Sequence, residues 1–135
     1  MRITQETDYA FRIVSFLAKH EFEIIGAPII AKEEGVSERF TLRILRKLNL
    51  AGITYALRGV KGGYSLKKPK EEITLYDIIV AVDGPIIINK CLENGPYCSK
   101  HTKDGMKHCK FHVKLNKIQS SIINMFESET IDNFI

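Results

Sequence analysis

The sequence predicts a mainly α protein with a small β-hairpin, organised as a winged helix-turn-helix followed by a long C-terminal helix. Three observations support this prediction: two short helical segments joined by a glycine turn, a glycine-rich hairpin directly after them, and a long apolar-periodic segment near the end. With 135 residues, of which 44% are hydrophobic and 27% charged, the chain has the size and composition of one folded domain.

Two short helices joined by a glycine turn form the predicted helix-turn-helix, and a longer helix precedes them. Residues 7–19 place apolar side chains at helical spacing behind Thr7, which we expect to be the N-cap. A proline opens the second helix over residues 28–34, and Gly35 supplies the tight turn after it. Ser37 is then in position to cap the third helix.

The third helix separates an apolar face from a basic one. Leu45 and Leu48 share an inward stripe. Arg39, Arg43 and Lys47 recur every four residues on another face. One face is therefore expected to pack against the domain, and the other to carry positive charge to the surface.

The predicted wing is a hairpin that follows the third helix. Residues 53–57 and 64–66 are strand candidates that flank a glycine-rich turn. The turn carries Arg58 and Lys61 among three glycines, which permit close approach of the backbone to a ligand. We expect these two cations to enter a narrow minor groove of DNA.

Positive charge is concentrated in this part of the chain. The protein has 20 Lys+Arg against 16 Asp+Glu, but residues 39–70 contain nine basic residues and no acidic one. A basic helix alone is most often a solvated face. Here it coincides with a helix-turn-helix and a basic hairpin, which together favour double-stranded DNA as the partner. The candidate DNA-binding residues are Ser37, Arg39, Arg43, Arg46, Lys47, Arg58 and Lys61.

The last third of the chain combines a capped helix, a cysteine-bearing loop and a long amphipathic helix. Thr74 is expected to cap a fourth helix over residues 75–82. The apolar face of residues 113–127 favours a homodimer, with packing inside the chain as the alternative. A two-fold dimer would space two recognition helices about 34 Å apart on a pseudo-palindromic operator. The expected division is 1–82 for the winged helix-turn-helix, 83–112 for the cysteine-bearing loop, and 113–135 for the dimerisation helix and tail.

The three cysteines follow the spacing Cys91-x6-Cys98-x10-Cys109-x2-His112. An odd number of cysteines in a reducing compartment favours metal ligands or reactive thiols over a disulfide framework. Soft thiolate donors suit an iron–sulfur cluster, with one further ligand to be supplied. Structural zinc held by three cysteines and a histidine uses the same residue types, and redox-active thiols are the third alternative.

Other functional classes lack support in the sequence. No apolar run approaches the roughly 20 residues that span a bilayer, and residues 1–10 lack a secretory apolar region, so we expect a cytoplasmic protein without a membrane partner. No catalytic triad, phosphate loop or paired-carboxylate site emerges, so we expect no enzyme. A protein-interaction module without DNA binding is the alternative of another class, and salt-dependent duplex binding separates the two.

Several local motifs resemble the IscR/NsrR family of winged-helix regulators. They are Met1-Arg2-Ile3-Thr4 with Asp8-Tyr9-Ala10, Gly35-Val36-Ser37, Leu50-Ala51-Gly52-Ile53, Arg58-Gly59 with Gly62-Gly63-Tyr64-Ser65-Leu66, and Ile73-Thr74-Leu75-Tyr76-Asp77-Ile78. These motifs span most of the chain up to Val82, and the wing motif is the most specific of them.

The resemblance implies a transcription regulator that binds DNA and senses redox state, nitric oxide or iron–sulfur supply. By the resemblance, Cys91, Cys98 and Cys109 hold an iron–sulfur cluster, and His112 matches the histidine ligand of IscR-like members. Asp8 matches an acidic residue that, in NsrR-like members, ligates the cluster of the other subunit. As a negative charge near a helix N-terminus, Asp8 is equally well explained without a metal.

Overall fold

The computed structural model describes residues 2–93, 98, 100 and 109–135, and within them the chain is mainly helical with one two-stranded hairpin. The helices and strands are α1 (Gln5–Lys19), α2 (Ala27–Glu34), α3 (Glu38–Leu50), β1 (Thr54–Leu57), β2 (Gly63–Leu66), α4 (Leu75–Asp83) and α5 (Lys110–Glu127). Short 3-10 turns lie at Lys70–Glu72, Lys90–Leu92 and Ile131–Phe134. The predicted fold class is confirmed. Among these residues, no helix combines the length and apolarity needed to cross a bilayer.

Helices α1 to α4 pack around one apolar core. The helical spacing of branched side chains places one face of each helix inward, and the largest of these side chains are fully buried. They include Ile13 and Leu17 of α1, Ile30 of α2, Ile44, Leu45 and Leu48 of α3, and Ile78 of α4. The predicted inward stripe of α3 is therefore confirmed.

The helix-turn-helix forms as its capping residues predict. Gly35 adopts the left-handed conformation that a residue without Cβ tolerates best, with φ 66°. The Val36 amide donates to the Ala31 carbonyl at 3.0 Å and closes the turn. Ser37 Oγ then accepts a hydrogen bond from the Phe40 amide at 3.1 Å, so its predicted N-cap role is confirmed.

The wing is an antiparallel hairpin whose register runs from Thr54 opposite Leu66 to Leu57 opposite Gly63. A Cβ on Gly62 would lie 2.1 Å from the Leu57 carbonyl oxygen, so only glycine fits in this tight turn. A pair of backbone hydrogen bonds of 2.8 and 3.0 Å between Ile25 and Tyr64 fastens β2 to the helical body. The wing is therefore anchored on one side and free at its tip.

The predicted N-cap of α1 was wrong. Thr4, three residues earlier, caps the helix by accepting a hydrogen bond from the Thr7 amide at 3.2 Å. Thr7 is fully buried, and its hydroxyl donates to the Asp83 carboxylate at 2.5 Å. Both threonines suit a cap by residue type, and the packing of α1 against the end of α4 decides between them.

The C-terminal segment after α5 returns to the winged-helix core. Ile131 is fully buried, and its amide donates to the Ile73 carbonyl at 2.9 Å. The Leu75 amide donates to the Glu129 carbonyl at the same distance. The return ties the end of α5 to the start of α4, a long-range contact that local sequence patterns do not predict.

Candidate DNA interface and cysteine site

The basic face of α3 divides into two kinds of cation. Arg39 and Arg46 are exposed to solvent, and Arg43 has 63% of its side chain exposed while its Nε lies 3.4 Å from Glu6 Oε1. Lys47 is only 31% exposed and faces the protein. Of the predicted row of Arg39, Arg43 and Lys47, the last member therefore lies in a different environment from the first two.

Lys47 has two partners within the chain. Its Nζ lies 2.9 Å from Glu6 Oε1 of α1 and donates a hydrogen bond of 3.3 Å to the carbonyl oxygen of Val82 in the last turn of α4. Late helical carbonyls lack partners inside their own helix, so this ammonium satisfies one of them. Lys47 thus joins α1, α3 and α4 at one point.

The wing tip presents its cations to solvent. Arg58 and Lys61 are exposed, as are Gly59 and Val60 between them. A hydrogen bond of 2.9 Å from the Gly62 amide to the Gly59 carbonyl closes the turn. The backbone is therefore ordered by its own hydrogen bonds while both basic side chains remain available to a partner.

In the cysteine-bearing segment, Cys91 and His112 come into direct contact. Cys91 lies in the Lys90–Leu92 turn and His112 in the first turn of α5, and the Cys91 Sγ and His112 Nδ1 atoms are 3.2 Å apart. The side-chain amide of Asn89 also lies within 3.4 Å of Cys91 Sγ and donates to it. Two residues separated by 21 positions in the sequence thus meet at the start of α5.

The other two cysteines are free and partly exposed. Cys109 immediately precedes α5, and its carbonyl accepts from the Val113 amide at 3.1 Å. Cys98 is partly exposed, and the residues directly before and after it in the sequence lie outside the described residues. No three His, Cys, Asp or Glu side chains within the described part of the chain form a group that could hold a metal ion. Of the predicted ligands, the structure brings Cys91 and His112 together, and Cys109 lies three residues before His112 in the sequence.

Residues 84–90, here called the linker, connect α4 to Cys91. The Ile86 amide donates to the hydroxyl of Tyr76 on α4 at 3.3 Å, and the Ile88 amide donates to Gln119 Oε1 on α5 at 2.9 Å. The linker is therefore held by a side chain from each helix. Sequence reasoning missed Gln119, because a polar residue within an amphipathic helix gives no signal of its tertiary partner.

Asp8 takes part in a surface ion pair. Its carboxylate lies 2.7 Å from the Arg12 guanidinium, one helical turn later, and hydrogen bonding to Asp8 raises the pKa of Arg12. The same guanidinium lies over the ring of Tyr9, 4.7 Å from its centroid. The Asp8 side chain is half-exposed despite this pairing.

A winged helix with an exposed basic helix and hairpin defines the class of winged-helix transcription regulators. The chain belongs to the Rrf2 family, described as iron-dependent transcriptional regulators, which it matches over residues 3–135. The resemblance to IscR/NsrR regulators is thereby confirmed. Because the family consists of transcriptional regulators, the expectation that the chain is not an enzyme is also confirmed.

Individual relatives cover nearly the whole chain. Protein aau3 of Rhizobium meliloti is 31% identical over 136 residues, covering 100% of this chain and 85% of its own length. The HTH-type transcriptional regulator NsrR of Bacillus licheniformis is 28% identical over 138 residues, covering 100% of this chain and 92% of its own. A crystal structure of a transcriptional regulator from Listeria innocua superimposes with a TM-score of 0.78 at 25% identity, covering 99% of this chain and 85% of that one.

Proposed function

We propose that the chain is a homodimeric, DNA-binding transcription regulator whose affinity for its operator is set by an iron–sulfur cluster on Cys91, Cys98 and Cys109. The observation that carries the sensing part is the contact of 3.2 Å between Cys91 Sγ and His112 Nδ1. The iron-dependent character of the family and the resemblance to cluster-binding regulators support iron over zinc.

Duplex DNA is the partner that suits the basic surfaces. Arg39 and Arg46 extend from α3 into solvent, and Arg58 and Lys61 extend from the wing tip. A helix of this kind fits the major groove, and a basic hairpin beside it reaches the backbone or the minor groove. Ser37 caps α3 and thereby fixes the end of the helix that enters the groove first.

The Cys91–His112 pair has the spacing of two ligands on one metal ion. Tetrahedral sites with metal–sulfur bonds of about 2.3 Å and metal–nitrogen bonds of about 2.0 Å hold such donors about 3.5 Å apart. The observed 3.2 Å is close to this separation, and it is also a normal length for a hydrogen bond between the two atoms. The two donors are therefore close enough to bind one metal ion. Cys109 lies directly before the first turn of α5, which carries His112. Asp8 of the partner subunit is the alternative to His112 as the fourth ligand.

A bound iron–sulfur cluster supplies chemistry that responds to oxidants, nitric oxide and iron supply. Residues near the cluster would transmit its presence or absence to the helices by a change in their positions. Cys91 follows the linker, which Tyr76 and Gln119 fix to α4 and α5. Holding or releasing Cys91 therefore shifts the balance between arrangements of these helices, and with it the spacing of the two α3 helices in the dimer.

Helix α5 supplies the dimer surface. Its apolar side chains Phe111, Leu115, Ile118, Ile122 and Met125 alternate at spacings of four and three, as in a coiled-coil seam. None of the five is buried in the single chain, and Phe111, Ile118 and Met125 are exposed. A groove of about 660 Å³ beside the seam is lined by more apolar side chains, including Ile3, Ile79 and Phe126. A second copy would cover this surface.

Metal content of anaerobically purified protein tests the sensing part. Wild type should be brown, with iron and sulfide by analysis and little zinc, and Cys98→Ala should lose the colour. His112→Ala should lose it or change its spectrum if His112 is a ligand, whereas Asp8→Ala should do so if the partner's carboxylate is the ligand. His20→Ala is the matched control, because His20 pairs with Glu23 at the end of α1. Colourless protein with stoichiometric zinc would establish a structural zinc site and overturn cluster sensing.

Salt dependence of duplex binding tests the DNA-binding part separately. Each phosphate contact contributes about −0.9 to the slope of log affinity against log salt. Wild type should therefore lose affinity steeply as salt rises, and Arg46→Gln should bind with a shallower slope. Binding without salt dependence would contradict DNA recognition through α3 and favour a protein-interaction module.

A further inference from the structure

Glu6 is an acidic side chain set against the basic face of α3. It lies in the first turn of α1, and only 14% of its side chain is exposed. One carboxylate oxygen, Oε1, is 2.9 Å from Lys47 Nζ and 3.4 Å from Arg43 Nε. This oxygen makes ion pairs without a well-directed hydrogen bond. A single carboxylate thus faces two of the four cations of the recognition helix.

Lys47 cannot leave this position without cost. Turning its ammonium toward a DNA phosphate would break the Glu6 pair and the hydrogen bond to the Val82 carbonyl together. Both groups belong to residues with little exposure, so losing the ammonium is disfavoured: the Val82 carbonyl would lose this donor, and Glu6 would keep only its longer contact of 3.4 Å to Arg43. Lys47 therefore holds α3 against α1 and α4, and its charge is neutralised inside the protein.

Arg43 differs because only one of its nitrogens faces Glu6. Nε points to the carboxylate, while the two terminal nitrogens retain four N–H donors on a side chain that is 63% exposed. A guanidinium held from behind by a carboxylate loses fewer conformations when it binds a base edge. Glu6 thus orients Arg43 toward solvent as it withdraws Lys47.

We infer that Glu6 is a specificity residue of the DNA interface, which removes Lys47 from phosphate binding and positions Arg43 for sequence readout. The inference rests on the proposed DNA binding through α3. Sequence-independent affinity comes from cations that neutralise phosphates, whereas specificity comes from oriented contacts to bases. Withdrawing Lys47 lowers the sequence-independent affinity, and orienting Arg43 raises the specificity.

The test is salt-dependent binding of Glu6→Gln to two duplexes, one of random sequence and one recovered by wild-type protein from a random library. Freeing one cation per protomer should steepen the slope by about 2 per dimer and raise affinity for the random duplex by roughly tenfold at low salt. The ratio of operator to random affinity should fall. Glu33→Gln, an exposed glutamate of α2, makes the same change in net charge and should leave both slopes at the wild-type value.

Lys47→Met gives the complementary result. Because Lys47 is not a phosphate contact in this account, its loss should leave the salt slope unchanged and lower the melting temperature. Arg46→Met should do the opposite, with a slope shallower by about 2 per dimer and little change in melting temperature. Melting curves on every variant separate a binding effect from loss of folding. Glu6→Asp keeps the negative charge on a shorter side chain, so its salt slope should fall between those of wild type and Glu6→Gln.

Two results would overturn the inference. In the first, Glu6→Gln binds the random duplex with the wild-type slope. In the second, Lys47→Met loses as much slope as Arg46→Met. Wild-type protein without any salt-dependent binding would instead overturn the proposed DNA binding, and this inference with it.

Discussion

The two halves of the molecule differ in how their apolar side chains are covered. Between Thr7 and Val82, every helix buries side chains in a shared core. No described residue between Asp83 and Ile131 is buried in the single chain, although α5 alone spans 18 residues. The first half holds nearly all of the core, to which Ile131 is added from the C-terminal segment, whereas α5 and the segment before it carry apolar and sulfur-bearing side chains whose proposed partners are a second copy and a metal.

The largest expected effect is in the core of the first half. Leu48→Ala removes a fully buried side chain of α3 and should lower the free energy of unfolding by about 2–5 kcal/mol, because a cavity remains. Chemical denaturation at fixed protein concentration measures this. Val113→Ala, on the outer surface of α5, is the control and should cost far less; equal losses would mean that the two halves do not differ as described.

A substitution in the seam of α5 should disrupt dimerisation and leave the fold of the winged-helix half intact, unlike a substitution in the core. Ile118→Glu places a charge at the middle of the seam, so it should convert the proposed dimer to a monomer while the helical circular dichroism of the winged-helix half persists. Light scattering over a range of protein concentrations measures the change. Asn116→Glu, at an exposed polar position two residues away, makes the same change in net charge and is the matched control. A variant that stays dimeric would place the dimer contact elsewhere.

Two buried threonines sharpen the comparison within the first half. Thr7→Val removes a fully buried hydroxyl that donates to Asp83, and it should cost about 0.5–1.5 kcal/mol, the net value of one hydrogen bond, because the exposed Asp83 carboxylate keeps the Thr4 hydroxyl as a partner. Thr41 is equally buried, but its hydroxyl has no hydrogen-bond partner among the described residues. Thr41→Val should therefore be neutral or stabilising. Thermal melts of the two variants, which make the same chemical change, decide whether the hydrogen bond accounts for the difference.

The Asp8–Arg12 pair should have the smallest effect on folding. Exposed pairs one helical turn apart contribute about 0.3–0.5 kcal/mol, so Arg12→Gln should barely change the melting temperature. If Asp8 ligates the partner's cluster, Asp8→Ala should still alter the spectrum of the iron-loaded protein. A melting temperature that falls by several degrees would show that the pair has a structural role.

These contrasts also explain what the sequence revealed and what it did not. Gly35, Ser37 and Thr74 act through neighbours within four residues, so their turn and caps were predictable from local chemistry. Thr4 rather than Thr7 caps α1, and distant Asp83 accepts a hydrogen bond from both hydroxyls. Contacts between residues that are tens of positions apart leave no periodic pattern in the sequence. Without knowledge of those contacts, two similar candidate capping residues cannot be ranked.

The same limit applies to the candidate site. Periodicity identified the basic row on α3, but it could not show that Glu6 faces Lys47. The cysteine spacing suggested a metal, and the resemblance to a known family named the ligands. The approach of Cys91 to His112 required the position of α5, which the local pattern does not give. The sequence also contains His101 and His108, which we expect to be solvated rather than bound to a metal, and both lie outside the described residues.

The central claim is that iron held by the cysteine-bearing segment controls DNA binding by the winged-helix half. Its most direct test is the affinity of one anaerobic preparation for the selected operator before and after removal of iron by a chelator. Coupling between two sites of one protein commonly changes affinity by about 5–150-fold, and we expect a change within this range. Equal affinities of the iron-loaded and iron-free protein would contradict the account.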